Sequence, residues 1–95
     1  MLPVLPMAAQ AASFNCNIAD RPDEVLICQN PELSGLDDQM SSLYFRLRNR
    51  LGGSARRLLE SDQSAWLQRR FACGRDYGCI RRLYVYRISE LQERY

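Results

Sequence analysis

The sequence contains no histidine and no lysine, so all 13 of its basic residues are arginine. Histidine is the commonest general base, the commonest metal ligand and the usual switch near neutral pH, so its absence excludes the usual forms of all three roles. The serines therefore lack the customary base of a nucleophilic site. The chain also lacks an apolar run of the roughly 20 residues that cross a membrane. These absences favour a folded binding protein over an enzyme or a membrane-spanning protein.

The charges of the chain are nearly balanced, with a formal net charge of +2 at pH 7. Acidic and basic residues alternate along the sequence, which is unlike the basic stripe of a nucleic-acid-binding protein. Glycosidases hold two carboxylates several ångströms apart, whereas neighbouring acids such as Asp37 and Asp38 point in different directions on a helix. We therefore predict that the protein is not an enzyme and has no nucleic-acid partner.

Residues 1–12, MLPVLPMAAQAA, are apolar at first and then small. Ala9 and Ala11 have the spacing of the A-x-A motif of a signal-peptidase site. We therefore expect residues 1–12 to be the remnant of a secretion signal. Residues 13–95 are then expected to form a single domain that resides in the periplasm or is secreted.

The chain has four cysteines, at positions 16, 28, 73 and 79. An even number of cysteines in a short chain is typical of an exported domain that is stabilised by disulfides. Structural zinc sites favour cysteines separated by two to four residues, and here the gaps are wider and histidine is absent. The chain also has no C-x-x-C redox motif. We predict disulfides, with neither a metal nor a cofactor.

The spacing of Cys73 and Cys79 shows what their pairing requires. On one continuous helix their Cα atoms would lie about 9 Å apart, whereas a disulfide needs about 7 Å or less. A glycine just inside each end of the gap indicates that the helix is broken there. We therefore predict a Cys73–Cys79 bridge that clamps the turn, and a Cys16–Cys28 bridge that ties the N-terminal arm to the first helix. Pairings between the two ends of the chain remain open from the sequence.

A short first helix is expected within the stretch from Asn17 to Leu33. Asp20 is its candidate N-cap, and Asp23 and Glu24 suit the positive end of the helix. The residue before a proline avoids helical geometry, so the helix is expected to end before Pro31.

Three longer helices follow, each with apolar residues at spacings of three and four. The second helix is capped by Asn30 or Ser34 and stops at Gly52. The third runs over about residues 55–72, and the fourth over about residues 77–93. No two-residue alternation is sustained, so we predict an all-α bundle of one short and three longer helices.

Several polar and aromatic residues lie on the apolar faces of these helices. A buried polar side chain needs a hydrogen-bonding partner, so we predict a structural network in which acidic side chains hold the buried arginines. The network residues are Glu24, Asp37, Gln63, Arg70 and Arg87. The predicted aromatic core anchors are Trp66, Tyr44 and Tyr84.

Four motifs occur in order along the chain. They are E-x-x-I-C ending at Cys28, L-x-x-L-D-x-x-M-x-x-x-Y ending at Tyr44, Q-x-x-W-L-x-x-R-x-x-C ending at Cys73, and C-x-x-x-x-Y-x-x-R-I-x-x-L beginning at Cys79. Their combination resembles the N-terminal domain family of the lysozyme inhibitor LprI, over about residues 14–95. The resemblance implies a small exported helical domain with four cysteines, and it suggests lysozyme as a target.

The first functional hypothesis is a secreted inhibitor that occludes the cleft of a lysozyme. The binding loop would be the clamped turn with Arg75, Asp76 and Tyr77. Arg75 would pair with the catalytic carboxylates, and Tyr77 would stack in the sugar site. A short loop closed by a disulfide loses little entropy on binding. Animal-type lysozymes are strongly basic, however, and this slightly basic chain gains no long-range steering toward them.

The second hypothesis is a periplasmic accessory module that binds an envelope protein and inhibits nothing. The balanced charge and the plain helical surface fit this hypothesis equally well. A compact acidic patch or a protruding loop would favour the inhibitor. A broad apolar groove between helices would favour the accessory module and a partner helix.

Overall fold

The computed structural model describes residues 13–95, and the expected signal remnant at residues 1–12 lies outside this range. Over the described residues the fold is all-α, as predicted, with one short helix followed by three longer ones. The helices are α1 (Pro22–Gln29), α2 (Pro31–Arg50), α3 (Gly53–Cys73) and α4 (Tyr77–Glu93). No helix within residues 13–95 is both long enough and apolar enough to cross a bilayer.

The start of α1 differs from the prediction. The start of α2 shows which of the two candidate N-caps, Asn30 or Ser34, is used. The N-cap position of α1 is Arg21, whose side chain makes no capping hydrogen bond, so the prediction of Asp20 as the cap was wrong. Pro22 fixes the first helical turn, which places the cap one residue later than expected. At α2, Asn30 accepts a hydrogen bond from the backbone N–H of Leu33 at 3.0 Å. Ser34 donates to the carbonyl of Ile27 instead.

Two glycines with positive φ set the connections on either side of α3. Gly53 has φ +58° and Gly74 has φ +59°, values that only glycine adopts without a steric penalty. α3 begins at Gly53, two residues earlier than expected. Gly74 ends α3, as predicted.

The apolar core lies where the four helices meet. Trp66 and Tyr84 are its largest aromatic side chains, and their rings meet edge to face with centroids 5.0 Å apart. The indole N–H of Trp66 donates to the carbonyl of Leu83 at 3.0 Å, so its polar atom is satisfied. Tyr44, the third predicted anchor, is only half-buried and packs at the rim of the core. The other buried apolar residues are Ile27, Leu33, Met40, Leu47, Leu59, Ile80, Ile88 and Leu91.

Both predicted disulfides are present. The Cα atoms of Cys16 and Cys28 are 5.8 Å apart, and those of Cys73 and Cys79 are 5.7 Å apart. The structure therefore excludes the pairings that would join the two ends of the chain. All four thiols are used, so none remains as a zinc ligand. Disulfides persist in oxidising compartments, and they are compatible with a location outside the cytoplasm.

Removing either disulfide should lower stability by an amount that follows the length of the closed loop. Loop-closure entropy predicts a loss of about 3 kcal/mol for Cys16→Ala with Cys28→Ala, and about 2 kcal/mol for Cys73→Ala with Cys79→Ala. Urea unfolding of both double variants beside the oxidised parent measures these losses. A larger loss from the shorter loop would contradict the loop-length account.

Candidate functional site

One buried arginine, Arg70 of α3, contacts residues of the other three helices. Its side chain is 3% exposed. Its Nε atom donates to Asp23 of α1 at 2.8 Å, and its Nη2 atom donates to Glu24 at 3.2 Å. Its Nη1 atom donates to the hydroxyl oxygen of Tyr84 of α4 at 3.2 Å. The Tyr84 hydroxyl donates in turn to Asp37 of α2 at 2.7 Å.

The Arg70 network, which comprises these five residues, holds more negative than positive charge. Three carboxylates surround a single guanidinium, and Asp23 and Asp37 are fully buried. Burial, followed by the charge of Asp37, raises the pKa of Tyr84 far above its usual range. The Tyr84 hydroxyl therefore stays protonated and serves as a permanent donor to Asp37.

Asp23 belongs to this network, although it is not among the network residues predicted from the sequence. The sequence favours it as an acid at the positive end of α1, whereas the structure buries it against Arg70. A signal for this was present, because Asp23 lies four residues before the buried Ile27 and so shares its helical face. A second arginine, Arg21, approaches Asp23 at 3.8 Å and stacks over the ring of Phe71 at 4.0 Å.

Arg87 of α4 organises a second buried network. Its Nε atom donates to Gln63 of α3 at 3.0 Å. Its Nη1 atom donates to Glu90 at 3.1 Å and to the hydroxyl oxygen of Tyr95 at 3.2 Å. The Tyr95 hydroxyl donates to Asp62 at 2.5 Å. The structure thus divides the five predicted network residues between two clusters, with Gln63 and Arg87 apart from the other three.

The predicted binding turn between α3 and α4 is held closely against the rest of the molecule. Asp76 accepts a hydrogen bond from the backbone N–H of Cys79 at 3.0 Å and so caps α4. Arg75 is exposed, and one of its Nη atoms lies 3.5 Å from the side-chain oxygen of Gln29. The side chain of Asp76 is therefore engaged in the local fold, while that of Arg75 remains at the surface.

Tyr77, the third residue of the predicted turn, connects it to α2. Its hydroxyl donates to Glu32, which also accepts a hydrogen bond from Arg81 at 2.9 Å. The hydrogen bond from Tyr77, followed by that from Arg81, lowers the pKa of Glu32. The same hydrogen bond raises the pKa of Tyr77. We call the turn 74–78, together with Glu32 and Arg81, the clamped corner.

A groove separates α2 from α3. These two helices are consecutive in the chain, yet α2 packs mainly against α4 and α1. The groove encloses about 580 Å³, and its wall includes the half-buried Tyr44 and the exposed Phe45. An ion pair between Arg48 and Glu60, 2.7 Å long, lies in its lining, as does Ser13 of the N-terminal arm. The sequence showed the apolar stripes of both helices, but it could not show that α2 and α3 diverge from each other.

Comparison with known proteins adds no relative to this description. No protein-family model, no curated protein and no solved structure matches the chain. Within residues 13–95, no group of three or more cysteine, aspartate or glutamate side chains is arranged to hold a metal ion. The clamped corner and the α2–α3 groove are surface features on which a functional proposal can rest.

The Arg70 network should respond strongly to loss of its only buried cation. Arg70→Met leaves three carboxylates without their shared counter-charge, and breaking a buried pair in this way typically costs about 3–5 kcal/mol. Arg69→Met, at the exposed neighbouring position, should change stability by about 0.5 kcal/mol or less. Urea unfolding measures both. Equal losses for the two variants would contradict a special role for Arg70.

Tyr77→Phe should raise the pKa of Glu32 toward its ordinary value, because it removes the hydrogen bond that lowers this pKa most. A lowered pKa means that the ionised contact is present at neutral pH and is lost as the pH falls through the pKa of the folded state. Carboxyl chemical shifts of Glu32, recorded by NMR from pH 7 to pH 2, test this. A titration that is identical in Tyr77→Phe and in the parent would refute the contact.

Proposed function

We propose that the protein is an exported binding domain, similar to the LprI N-terminal domain family, that inhibits a lysozyme by occluding its cleft. In this proposal it acts by contact and catalyses nothing. The four ordered motifs suggest the target. The disulfide-stabilised all-α fold agrees with what the resemblance implies about architecture.

The restraint of the clamped corner by a disulfide and side-chain hydrogen bonds is the observation that carries this proposal. The Cys73–Cys79 disulfide closes the turn, Asp76 caps the helix that follows, and Tyr77 is tied to Glu32. A loop that is already fixed in one conformation loses little entropy when it binds. The corner thus has the mechanical property that a cleft-occluding inhibitor needs.

The chemistry of the corner suits a cleft lined by carboxylates and sugar subsites. The guanidinium of Arg75 is exposed, and arginine grips carboxylates through paired hydrogen bonds. The side chain of Tyr77 remains 41% exposed although its hydroxyl is engaged. Because the chain carries a net charge of +2, electrostatic steering contributes nothing toward a basic lysozyme, and affinity must come from these close contacts.

By the criterion stated for the two hypotheses, the α2–α3 groove favours a second candidate function, that of a periplasmic accessory module. The clamped corner is held against α2 and does not form a protruding loop, so the inhibitor rests on the resemblance and on the restraint of the corner. The apolar wall of the groove, which includes Tyr44, Phe45 and Leu67, suits the apolar face of an amphipathic helix. The partner in this case is a helix of an envelope protein. The two candidates use different surfaces, so a single set of variants distinguishes them.

The test is lysozyme turnover of a cell-wall suspension with increasing amounts of the oxidised protein. Inhibition is expected to approach completion at stoichiometric excess. Arg75→Ala with Tyr77→Ala should raise the inhibition constant by about 30-fold or more, since a binding hot spot is worth about 2 kcal/mol or more. Arg57→Ala with Tyr86→Ala is the matched control, because it removes an exposed arginine and an exposed tyrosine outside the corner.

Absence of inhibition by a folded, oxidised sample against several lysozyme types would reject the inhibitor. If inhibition survives in Arg75→Ala with Tyr77→Ala but is lost in Phe45→Ser, the binding site lies in the groove. If inhibition is absent, a photoreactive side chain at position 45 should crosslink an envelope protein. A failure of that crosslink would reject the accessory module as well.

A further inference from the structure

The N-terminal arm, residues 13–16, ends beside the Arg70 network. The backbone N–H of Ser13 donates a hydrogen bond to Oδ2 of Asp37. The guanidinium of Arg70 lies 5.2 Å from the ring centre of Phe14, and Cys16 is bonded to α1 through its disulfide. Three successive contacts therefore fix the backbone nitrogen of Ser13 at one oxygen of a buried carboxylate.

The Asp37 carboxylate has no strong cationic partner of its own. Its nearest cation is Nη1 of Arg70, at 3.9 Å from Oδ1, and the same guanidinium makes closer contacts with Asp23 and Glu24. Its two oxygens instead accept from neutral donors, the hydroxyl of Tyr84 and the N–H of Ser13. A positive charge placed beside such a carboxylate favours its ionised form.

We propose that Asp37 is a binding site for an N-terminal ammonium group, that of a processed chain whose first residue is Ser13. Hydrolysis of the peptide bond between Ala12 and Ser13 consumes one water, leaves a carboxylate on Ala12 and leaves an amine on Ser13. At neutral pH that amine takes up a proton. The nitrogen that already donates to Asp37 then carries a full positive charge without having to move.

This inference rests on the export proposed above, since export is what would remove residues 1–12. The A-x-A spacing alone favours cleavage one bond earlier, after Ala11. A chain that begins at Ala12 keeps the neutral N–H of Ser13 at Asp37 and carries its charge one residue away. The two possible N-termini differ by a single residue, and they therefore place the positive charge at different distances from Asp37.

Residues of all four helices face this site. Asp37 lies on α2, Arg70 on α3, Tyr84 on α4, and Asp23 and Glu24 on α1. Together with Arg21, which lies 3.8 Å from Asp23, they carry three negative charges and two positive ones, because burial keeps the Tyr84 hydroxyl protonated. An added ammonium reduces this imbalance, so its pKa should rise above the usual value of about 7.7–8.0.

The direction of the pH dependence follows from that raised pKa. The stabilisation should be complete below the pKa of the unfolded amine and should disappear as the pH rises through the pKa of the folded one. At pH 6 the chain that begins at Ser13 should melt about 5 °C higher than its Nα-acetylated form, which corresponds to roughly 1 kcal/mol for a domain of this size. The two forms should melt together near pH 10.

The experiment uses residues 13–95, which include all four helices and both disulfides. It compares the free-amine, Nα-acetylated and Ala12-first chains by thermal unfolding from pH 6 to pH 10. The gap between free and acetylated chains should vanish in Asp37→Asn and persist in Asp38→Asn, the exposed neighbouring acid. The Ala12-first chain, which keeps Asp37 intact, should melt close to the acetylated form.

A second readout does not depend on the stability of any variant. Titration of the α-amine of the Ser13-first chain by ¹⁵N NMR should give a pKa of about 8.5 or higher, whereas the Ala12-first chain should titrate near the usual 7.7–8.0. Equal melting of free and acetylated chains at pH 6 would overturn the proposal. So would an unshifted Ser13 amine, or a gap that survives in Asp37→Asn.

Because both chains are made with defined first residues, these outcomes do not depend on lysozyme inhibition or on export. The ammonium site would stand if the proposed inhibition failed. Conversely, an inhibitor whose Ser13 amine titrates normally would retain its proposed function and lose this site.

Discussion

The arrangement of the four helices depends on the burial of one guanidinium. Arg70 reaches α1 through Asp23 and Glu24, and it reaches α4 through Tyr84, whose hydroxyl continues to Asp37 on α2. Removing one partner of a buried ion pair is strongly destabilising, because it leaves an uncompensated charge in the interior. No helix can therefore shift alone without leaving part of this network unpaired. The network therefore favours one arrangement of the helices, while the apolar core around Trp66 accounts for most of the buried surface.

The disulfides and glycines act at the edges of this arrangement. Cys16–Cys28 brings the N-terminal arm to the network, and Cys73–Cys79 fixes the corner between α3 and α4. Hydrogen bonds inside and disulfides outside hold the small domain together, although Asp23 Oδ1 and Arg87 Nη2 are buried without a hydrogen-bonding partner among the described residues. That frame presents the clamped corner and the α2–α3 groove, the two surfaces on which the proposed function rests.

The helices were predictable because their signals are local. Apolar spacing, Asn30 before Pro31 and the glycines at positions 53 and 74 each act within a few residues, and the helices begin and end close to those positions. The failure at Asp20 is equally local, since Pro22 moved the cap to Arg21. Asp23 was harder to assign because one position satisfied two rules. An acid in the first turn of a helix is favourable at the surface, and the same residue also lies on the buried face.

The sequence by itself determined the number and extent of the helices, the polar residues on their apolar faces and the even set of cysteines. Only the tertiary structure decided which acid meets which arginine, that Gln63 and Arg87 form a separate cluster, that Tyr77 bonds to Glu32, and that α2 and α3 diverge into a groove. The physical reason is the separation along the chain over which each interaction acts. Helix formation and capping depend on neighbours within about four residues. Pairings across 24 residues or more depend on how each helix is rotated about its axis when the core closes.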